Sequence, residues 1–302
     1  GGIPSEPSPD LVETVYTMQR RQAWMRESLI EKGQEPLWFV GSAQVGESPK
    51  NIAMGMRLTL GVDESWAASY RTWTEALRAL REAIDEAGIL VVTNGVVGNN
   101  THRRLYPDEF RGFVLVDDYA PLLFVNGRDA KAAQMFTLAH ELAHVFFGSS
   151  AVFDLRGMQP ADDPVEQACN VVAAEFLVPE DRLRDVWPSA QEDVDPFQAI
   201  AREFKVSVLV AARRALDLCL VTDDEFHGFY TRYLDNEHRK SEGTTGGDFY
   251  ANQNSRVGRR FALEVANSVS EGRLLYTEAY ELTGLYGTTF EQYVGRLRDG
   301  ET

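Results

Sequence analysis

The sequence predicts an α+β fold that is mostly helical and contains one small β-sheet. Most of the chain carries apolar residues at helical spacing, in stretches bounded by typical N-cap and C-cap residues. Between residues 88 and 125 the pattern changes to short runs of β-branched and aromatic residues bounded by Gly, Asn, Asp and Pro. The chain has 302 residues and is 44% hydrophobic, which is enough for a sizeable core. We therefore expect a helical core around a small sheet, with helical N- and C-terminal appendages.

The N-terminal segment is predicted to be a linker followed by one long helix. Residues 3–9 are rich in Pro and Ser, and a helix is expected to begin at Asp10 and to end before Gly33. Asp10 and Glu13 have the spacing of a capping box. The apolar residues of this helix form a single stripe: Leu11, Val15, Met18, Met25 and Leu29. The stripe could dock on the rest of the chain or on a partner, and we expect docking within the chain.

Two further helices and three strands are predicted next. The helices cover residues 49–60 and 73–87, and the strands cover 88–92, 112–116 and 122–125. Only a short, aspartate-containing segment separates the last two strands, so we expect them to form a hairpin.

A loop is predicted at residues 94–104, between the first two strands. Its glycines do not have the spacing of a phosphate-binding loop and no helix follows, so a nucleotide site is excluded. His102 and Arg103 in this loop could stabilise an oxyanion or hold a substrate. Solvated loop side chains are the simpler interpretation of both residues.

The segment from Asp129 to Gly148 is predicted to be a helix, and it carries the most informative motif of the chain. The motif reads His140-Glu141-Leu142-Ala143-His144, with two histidines four residues apart. That spacing puts both imidazoles on one face of a helix, where they can bind one zinc ion. The glutamate between them can act as general base toward a water at the metal. The alternative is a surface helix with two solvated histidines. However, apolar residues surround the pair, and buried histidines need polar partners.

A catalytic zinc site needs a third protein ligand, and the best candidate is Glu166. It lies in a predicted helix from Asp163 to Pro179, in which Pro164 suits the first helical position. Glu166 stands three residues after Asp163, so a capping-box role is the alternative. Glu175 is the competing ligand, but it lies on nearly the opposite face of the helix and is not expected to reach the same metal.

These two helices resemble those of the ImmA/IrrE family of zinc metallo-endopeptidases. The family pattern is a helical H-E-x-x-H followed by E-x-x-x-N-x-x-A-A-x-x-L-x-P. This chain carries both parts, from Phe136 to His144 and from Glu166 to Pro179. Cys169 precedes the asparagine where the family commonly has alanine, so a small residue is kept there.

The resemblance implies a zincin-like metallopeptidase core in which His140, His144 and Glu166 bind Zn²⁺ and Glu141 is the catalytic base. It also implies a specific protein substrate, a helix-turn-helix repressor or antitoxin often encoded nearby, whose cleavage controls gene expression. The alternative function is a catalytically silent scaffold or antitoxin with the same fold. The intact Glu141 argues against it, because a binding module needs no base there. A digestive peptidase is disfavoured by the lack of a secretion signal and of disulfides.

Composition bears on the partners and on the location. The net charge is −16, with 46 acidic and 30 basic residues, so we expect no direct nucleic-acid binding by this chain. The same charge can attract a basic protein such as a DNA-binding repressor. The two cysteines, Cys169 and Cys219, are interpreted as free buried thiols in a reducing compartment. No signal peptide and no apolar run of membrane length is visible, so we expect a cytoplasmic protein without a membrane partner.

The last third of the chain is predicted to be helical. Short helices are expected at residues 196–204 and 207–220, with Ser207 as the N-cap of the second. The tail is expected to form helices at about 255–270 and 276–297, the second of them broken near the glycines at 284 and 287.

These patterns divide the chain into four parts. Residues 1–45 are the N-terminal linker and helix, and because the chain begins with Gly1 instead of methionine, a helix-turn-helix domain could have preceded them. Residues 46–234 are the predicted zinc peptidase domain, and 235–248 are a flexible linker. Residues 249–302 are a helical appendage, interpreted as a substrate-docking or regulatory unit.

Overall fold

The computed structural model describes residues 7–149, 163–237 and 254–299, which are mostly helical. The helices are α1 Pro9–Glu31, α2 Pro49–Leu60, α3 Trp73–Glu86, α4 Lys131–Phe147, α5 Pro164–Leu177, α6 Glu180–Ala190, α7 Pro196–Phe204, α8 Val208–Asp217, α9 Asp223–Glu237, α10 Arg259–Ser270, α11 Tyr276–Thr283 and α12 Thr288–Asp299. The strands are β1 Leu90–Asn94, β2 Val96–Val97, β3 Asn100–Arg104, β4 Gly112–Leu115 and β5 Leu122–Asn126. The predicted α+β class is confirmed, whereas the zincin-like arrangement of the core stays a prediction.

The larger sheet has β5 at its centre. This strand is parallel to β1 on one side, with Leu122 opposite Leu90, and antiparallel to β4 on the other, with Phe124 opposite Phe113. The predicted hairpin of the last two strands is therefore confirmed. Among the described residues, β4 is an edge strand of this sheet.

Residues 94–104 are not the loop that the sequence predicted, because they contain a second antiparallel pair, β2 with β3. The Asn94 side chain holds the entry to this pair, since its Nδ2 donates to the Gly98 carbonyl at 2.7 Å and its Oδ1 accepts from the Val96 N–H at 3.2 Å. Gly98 has a φ of 54°, a backbone conformation that glycine adopts without strain. Gly98 and Asn99, which we interpreted as loop residues, form the turn of this hairpin.

The two faces of the larger sheet contact two separate apolar cores. Along β5, Leu123 and Val125 point into one core, whereas Leu122 and Phe124 point into the other. The first core is completed by α2 to α8, and the second by α1, α10, α11 and α12. The N-terminal helix and the C-terminal helices therefore share a core on the sheet face opposite α4. The expected docking of α1 within the chain is confirmed.

Helix α1 begins one residue earlier than predicted, and its cap is Ser8 instead of an Asp10–Glu13 capping box. The Ser8 hydroxyl accepts from the Leu11 N–H at 3.1 Å, and Pro9 can occupy the first turn because no hydrogen-bond donor is needed there. The carboxylates of Asp10 and Glu13 instead lie 2.6 and 2.7 Å from the Arg103 guanidinium on β3.

The C-terminal predictions are confirmed in outline. Ser207 caps α8, and the tail is broken between α11 and α12 at Gly284 and Gly287, both with positive φ. Cys219 is exposed and follows α8, so the interpretation of it as a buried helical thiol is wrong. Helix α9 continues three residues into the predicted linker 235–248, and the rest of that linker lies outside the described residues. The four-part division of the chain stays a prediction.

None of the helices in the described ranges combines the length and the apolar character that a membrane span requires.

Candidate metal centre

Helix α4, which carries the two histidines, is fixed at its C-terminal end by the segment that precedes α2. The N–H groups of Gly41 and Ala43 donate to the carbonyls of Val145 and Phe146 at 3.0 and 2.9 Å. Gly148 ends the helix with a φ of 67°, and a Cβ on this residue would lie 3.0 Å from the Cα of Gly41. The close approach and the backbone angle both require glycine at this position.

The three side chains predicted as metal ligands meet between α4 and α5. The Nε2 atoms of His140 and His144 are 3.1 Å apart. Both rings face the Glu166 carboxylate, whose Oε2 is 3.2 Å from His140 Nε2 and whose Oε1 is 3.2 Å from His144 Nε2. His144 is fully buried, while the side chains of His140 and Glu166 are 15% and 21% exposed. The cluster is therefore accessible from one side, as a site that admits water or substrate has to be.

The separations within this cluster fit a zinc ion. Two imidazoles and one carboxylate are a known donor set for catalytic zinc. In a tetrahedral site with ligands about 2.0–2.1 Å from the metal, donor atoms lie about 3.3 Å apart, and the separations here are 3.1 and 3.2 Å. In the part of the chain that the structure describes, this is the one group of at least three His, Cys, Asp or Glu side chains whose donor atoms converge.

The protein environment favours a positive charge on the imidazoles and a negative charge on the Glu166 carboxylate. Hydrogen bonds from His140 and His144 hold the pKa of Glu166 well below its usual range. Burial alone would lower the pKa of His140, but hydrogen bonding to Glu166 and the charges of Glu141 and Glu166 outweigh burial and raise it. Without a metal, the cluster therefore favours an imidazolium beside a carboxylate. A divalent cation would replace that proton and satisfy the same carboxylate.

Glu141 lies between the two histidines in sequence and is almost fully buried. Its Oε2 atom has no hydrogen-bond partner among the described residues. Burial raises the pKa of this carboxyl, although the nearby His140 and His144 oppose the shift. A buried carboxyl with a raised pKa and an unused oxygen is suited to accept a proton and give it up again.

Edge strand β4 begins beside Glu141, and a glycine makes this possible. A Cβ on Gly112 would lie 2.5 Å from Thr137 Cγ2, 2.7 Å from the Phe124 carbonyl oxygen and 3.5 Å from Glu141 Oε1. Only a residue without a side chain lets β4 lie this close to α4. The sequence analysis placed a strand boundary at Gly112, but nothing in the pattern indicated its contact with Glu141.

Two more neighbours of the site, Phe136 and Asn170, lie one helical turn from a predicted ligand, and the sequence analysis did not assign them to the site. The Phe136 ring stacks on the His140 ring, with centroids 6.5 Å apart and an interplanar angle of 29°. Asn170 lies one turn beyond Glu166 and helps to raise the pKa of His140 through hydrogen bonding. Both residues stand at helical spacing from a histidine or carboxylate, which is the signal that could have found them.

The other candidates from the sequence lie elsewhere in the fold. Glu175 forms a buried ion pair with Arg214 on α8, as expected for the opposite face of α5. Arg103 binds carboxylates on α1, and His102 is exposed on β3. Cys169 is buried, and burial raises the pKa of its thiol, which disfavours the thiolate that a metal ligand needs.

Comparison with known families agrees with this site. Residues 84–216, from the end of α3 to the end of α8, match the family model described as the IrrE N-terminal-like domain, a peptidase family. Residues 257–296 match a second model, a domain of unknown function (DUF8813) that covers most of α10 to α12. A search of curated proteins gave no match. His140, Glu141, His144 and Glu166 all fall within the first of these two matches, and this IrrE N-terminal-like domain supports an ImmA/IrrE family metallopeptidase.

Proposed function

We propose that this protein is a zinc-dependent endopeptidase in which His140, His144 and Glu166 hold the metal and Glu141 is the general base. The observation that carries the proposal is the convergence of the three donor groups within 4.8 Å, next to a buried glutamate with an unused oxygen. The match to a peptidase family over the same residues supports the reaction class. A silent scaffold would have no need of a buried, unpaired carboxyl at this point.

In this mechanism each residue has a separate task. When bound, a zinc ion supplies Lewis acidity, which lowers the pKa of water and polarises the peptide carbonyl. Glu141 accepts a proton at Oε2 as water attacks the carbonyl carbon, and it then delivers that proton to the nitrogen of the leaving amine. The raised pKa of Glu141 allows the carboxyl to hold the proton between these two steps. The outer edge of β4 pairs with no other strand among the described residues, so the start of this strand can offer main-chain groups to an extended substrate beside Glu141.

The proposed substrate is a helix-turn-helix repressor or antitoxin, whose cleavage would change gene expression. Besides the family resemblance, the charge of the chain supports a basic protein target, since the chain carries a net charge of −16. The two free cysteines agree with a reducing compartment such as the cytoplasm. The identity of the repressor does not follow from the site.

The proposed function is tested by metal content and cleavage in parallel. The purified protein should contain about one zinc per chain, and it should cleave a helix-turn-helix protein encoded beside its gene while leaving casein largely intact. Glu141→Gln should keep the zinc and lose cleavage, because an amide cannot accept the proton. Cleavage that survives in Glu141→Gln would contradict the assignment of the base. A wild-type protein that binds zinc but cleaves no such target would favour the scaffold function.

A further inference from the structure

A cavity of about 550 Å³ lies between α4, α5 and α8, and its wall includes residues one helical turn from the candidate metal centre. Five of its nine lining residues are apolar, namely Phe136, Val171, Ala174, Leu209 and Val210, and the other four are Asn170, Arg213, Arg214 and Asp217. We propose that this cavity binds a leucine-sized apolar side chain of the substrate, at a residue flanking the bond that is cleaved. This inference rests on the proposed function and names a specificity pocket for it.

The position of the cavity connects it to the reacting atoms. Phe136 forms part of the wall and stacks on the ring of His140. Asn170 lies in the wall on the other helix, one turn beyond Glu166. The cavity therefore begins one helical turn from two of the three predicted ligands. A substrate residue next to the cleaved bond lies within a few ångströms of the metal, so its side chain can enter this space.

The chemistry of the lining selects against a charged side chain. Arg214 is paired with Glu175 in a buried ion pair, and it also donates to the Val178 carbonyl at 3.0 Å. Arg213 is paired with Asp217 at 2.9 Å. Every charged side chain in the lining thus has an opposite charge as a partner within this structure. A substrate carboxylate or ammonium would lose its hydration without gaining a free counter-charge.

An apolar side chain gains from the same lining. Val171 is an apolar residue that is 47% exposed, and it borders the cavity with Ala174, Leu209 and Val210. Removing a leucine side chain from water against such a surface should strengthen binding by roughly tenfold to a hundredfold. Ala174 is the smallest residue of the lining, so a larger side chain there would project into the cavity and narrow it.

The experiment measures binding of four hydroxamates to the full-length protein loaded with zinc, because a hydroxamate is a metal chelator and its binding does not depend on cleavage. One pair is N-acetyl-leucine and N-acetyl-glycine hydroxamate, which mimic the residue before the cleaved bond. The other pair is succinyl hydroxamate with and without an isobutyl group, which mimics the residue after it. In one of the two pairs the isobutyl compound should bind at least about tenfold more tightly, by isothermal titration calorimetry.

Two variants and one control locate this preference. Ala174→Phe projects an aromatic ring into the cavity and Val171→Asp places a charge on its wall, and each should remove the isobutyl preference while zinc content stays at one per chain. Ala23→Phe is the control. It adds the same aromatic group at an exposed position of α1, a helix that packs against the second core, and it should keep the preference. Because Val171 is half exposed, the second variant tests the cavity even if the first does not fold.

Different results would contradict the pocket and the proposed peptidase function. Equal binding within both pairs, or a preference that survives in both cavity variants, would overturn the pocket while zinc binding and sensitivity of cleavage to Glu141→Gln remained intact. If the wild-type protein took up no zinc and bound none of the four hydroxamates, the pocket and the proposed metal site would both be overturned.

Discussion

At the scale of single residues, Gly112 controls how closely the edge strand approaches the candidate base. Thr137 and the Phe124 carbonyl leave no room for a side chain at this position, and Glu141 lies just beyond them. For the histidines, the four-residue spacing in the sequence was enough to predict that both imidazoles lie on one face of a helix. No periodicity identifies a glycine that is required by contact with another element, because that contact exists only in the folded chain.

Gly112→Ala should therefore move β4 away from α4. The new methyl group would lie 2.5 Å from Thr137 Cγ2 and 2.7 Å from a backbone oxygen, so we expect a loss of stability of about 1–3 kcal/mol. Zinc content should be unchanged, whereas cleavage should fall because the edge beside Glu141 is displaced. Gly295→Ala is the matched control, since nothing lies within 4 Å of a Cβ there. Denaturant unfolding and metal analysis measure both effects, and full activity in Gly112→Ala would refute a role for the close approach.

The ligand cluster should make the stabilisation by zinc depend on pH. The pKa of Glu166 is lowered in the folded protein, so its contribution to stability is complete above the unfolded value of about 4.3 and is lost in acid. The pKa of His140 is raised, so its contribution is complete below about 6.5 and is lost as the pH rises through the folded value. The metal-free cluster thus stabilises the fold most between about pH 4.5 and 6.5.

Zinc requires neutral imidazoles, so its effect on the melting temperature should grow from pH 6 to pH 8. Melting curves with zinc and with a chelator at each pH provide the measurement. His140→Ala should show no such growth, because one ligand is missing. A zinc effect that is independent of pH in the wild-type protein would contradict the assignment of His140 as a ligand.

At the scale of secondary-structure elements, α4 and α5 were predictable because their caps and breakers lie next to them in sequence. Asp163 accepts from the Val165 N–H at 2.7 Å, Pro164 occupies the first turn, and Gly148 ends the preceding helix, as local rules require. The β2–β3 hairpin and the Ser8 cap were not predictable in this way. Asn94 was interpreted as a loop residue, but its side chain binds the Gly98 carbonyl within the β2–β3 hairpin. Asp10 was interpreted as a helix cap, but its carboxylate binds the Arg103 guanidinium.

The two glutamates of α5 should separate into a ligand and a structural residue. Glu166→Gln should lose zinc, whereas Glu175→Gln should keep it and lose roughly 3 kcal/mol of stability, because Arg214 would remain buried without its carboxylate partner. Asp217→Asn breaks the exposed Arg213 pair on the same helix as Arg214 and should cost less than about 0.5 kcal/mol. Metal analysis and urea unfolding of the three variants test this. If Glu175→Gln lost zinc and Glu166→Gln kept it, Glu175 would be the ligand and Glu166 the structural residue.

At the scale of the whole molecule, one sheet separates the candidate metal centre from the N- and C-terminal helices. The sequence indicated that the strands are apolar, but strands that are buried on both faces do not reveal which helices cover which face. The C-terminal helices were interpreted as an appendage because a polar, glycine-rich segment precedes them. In the structure, α10 to α12 share a core with α1 and with the far side of β5.

This shared core predicts that the peptidase domain and the C-terminal helices unfold together. Phe261 on α10 is buried and meets the Trp24 ring of α1 edge-on at 5.6 Å, so Phe261→Ala should cost about 3–5 kcal/mol. Calorimetry should show one transition in the wild-type protein and in the variant. The candidate metal centre lies on the other side of the sheet, yet added zinc should raise the temperature of that same transition in both proteins.

Tyr286→Ala is the control for this prediction, because Tyr286 is 65% exposed and its removal should change stability by less than about 0.5 kcal/mol. Two transitions, one moved only by zinc and the other only by Phe261→Ala, would instead support an independently folded appendage at residues 249–302. That outcome would make deletion of the tail a clean test of substrate docking. If the transition is single, deletion would expose the apolar face formed by Leu122 and Phe124, so docking has to be tested by substitutions at exposed tail residues.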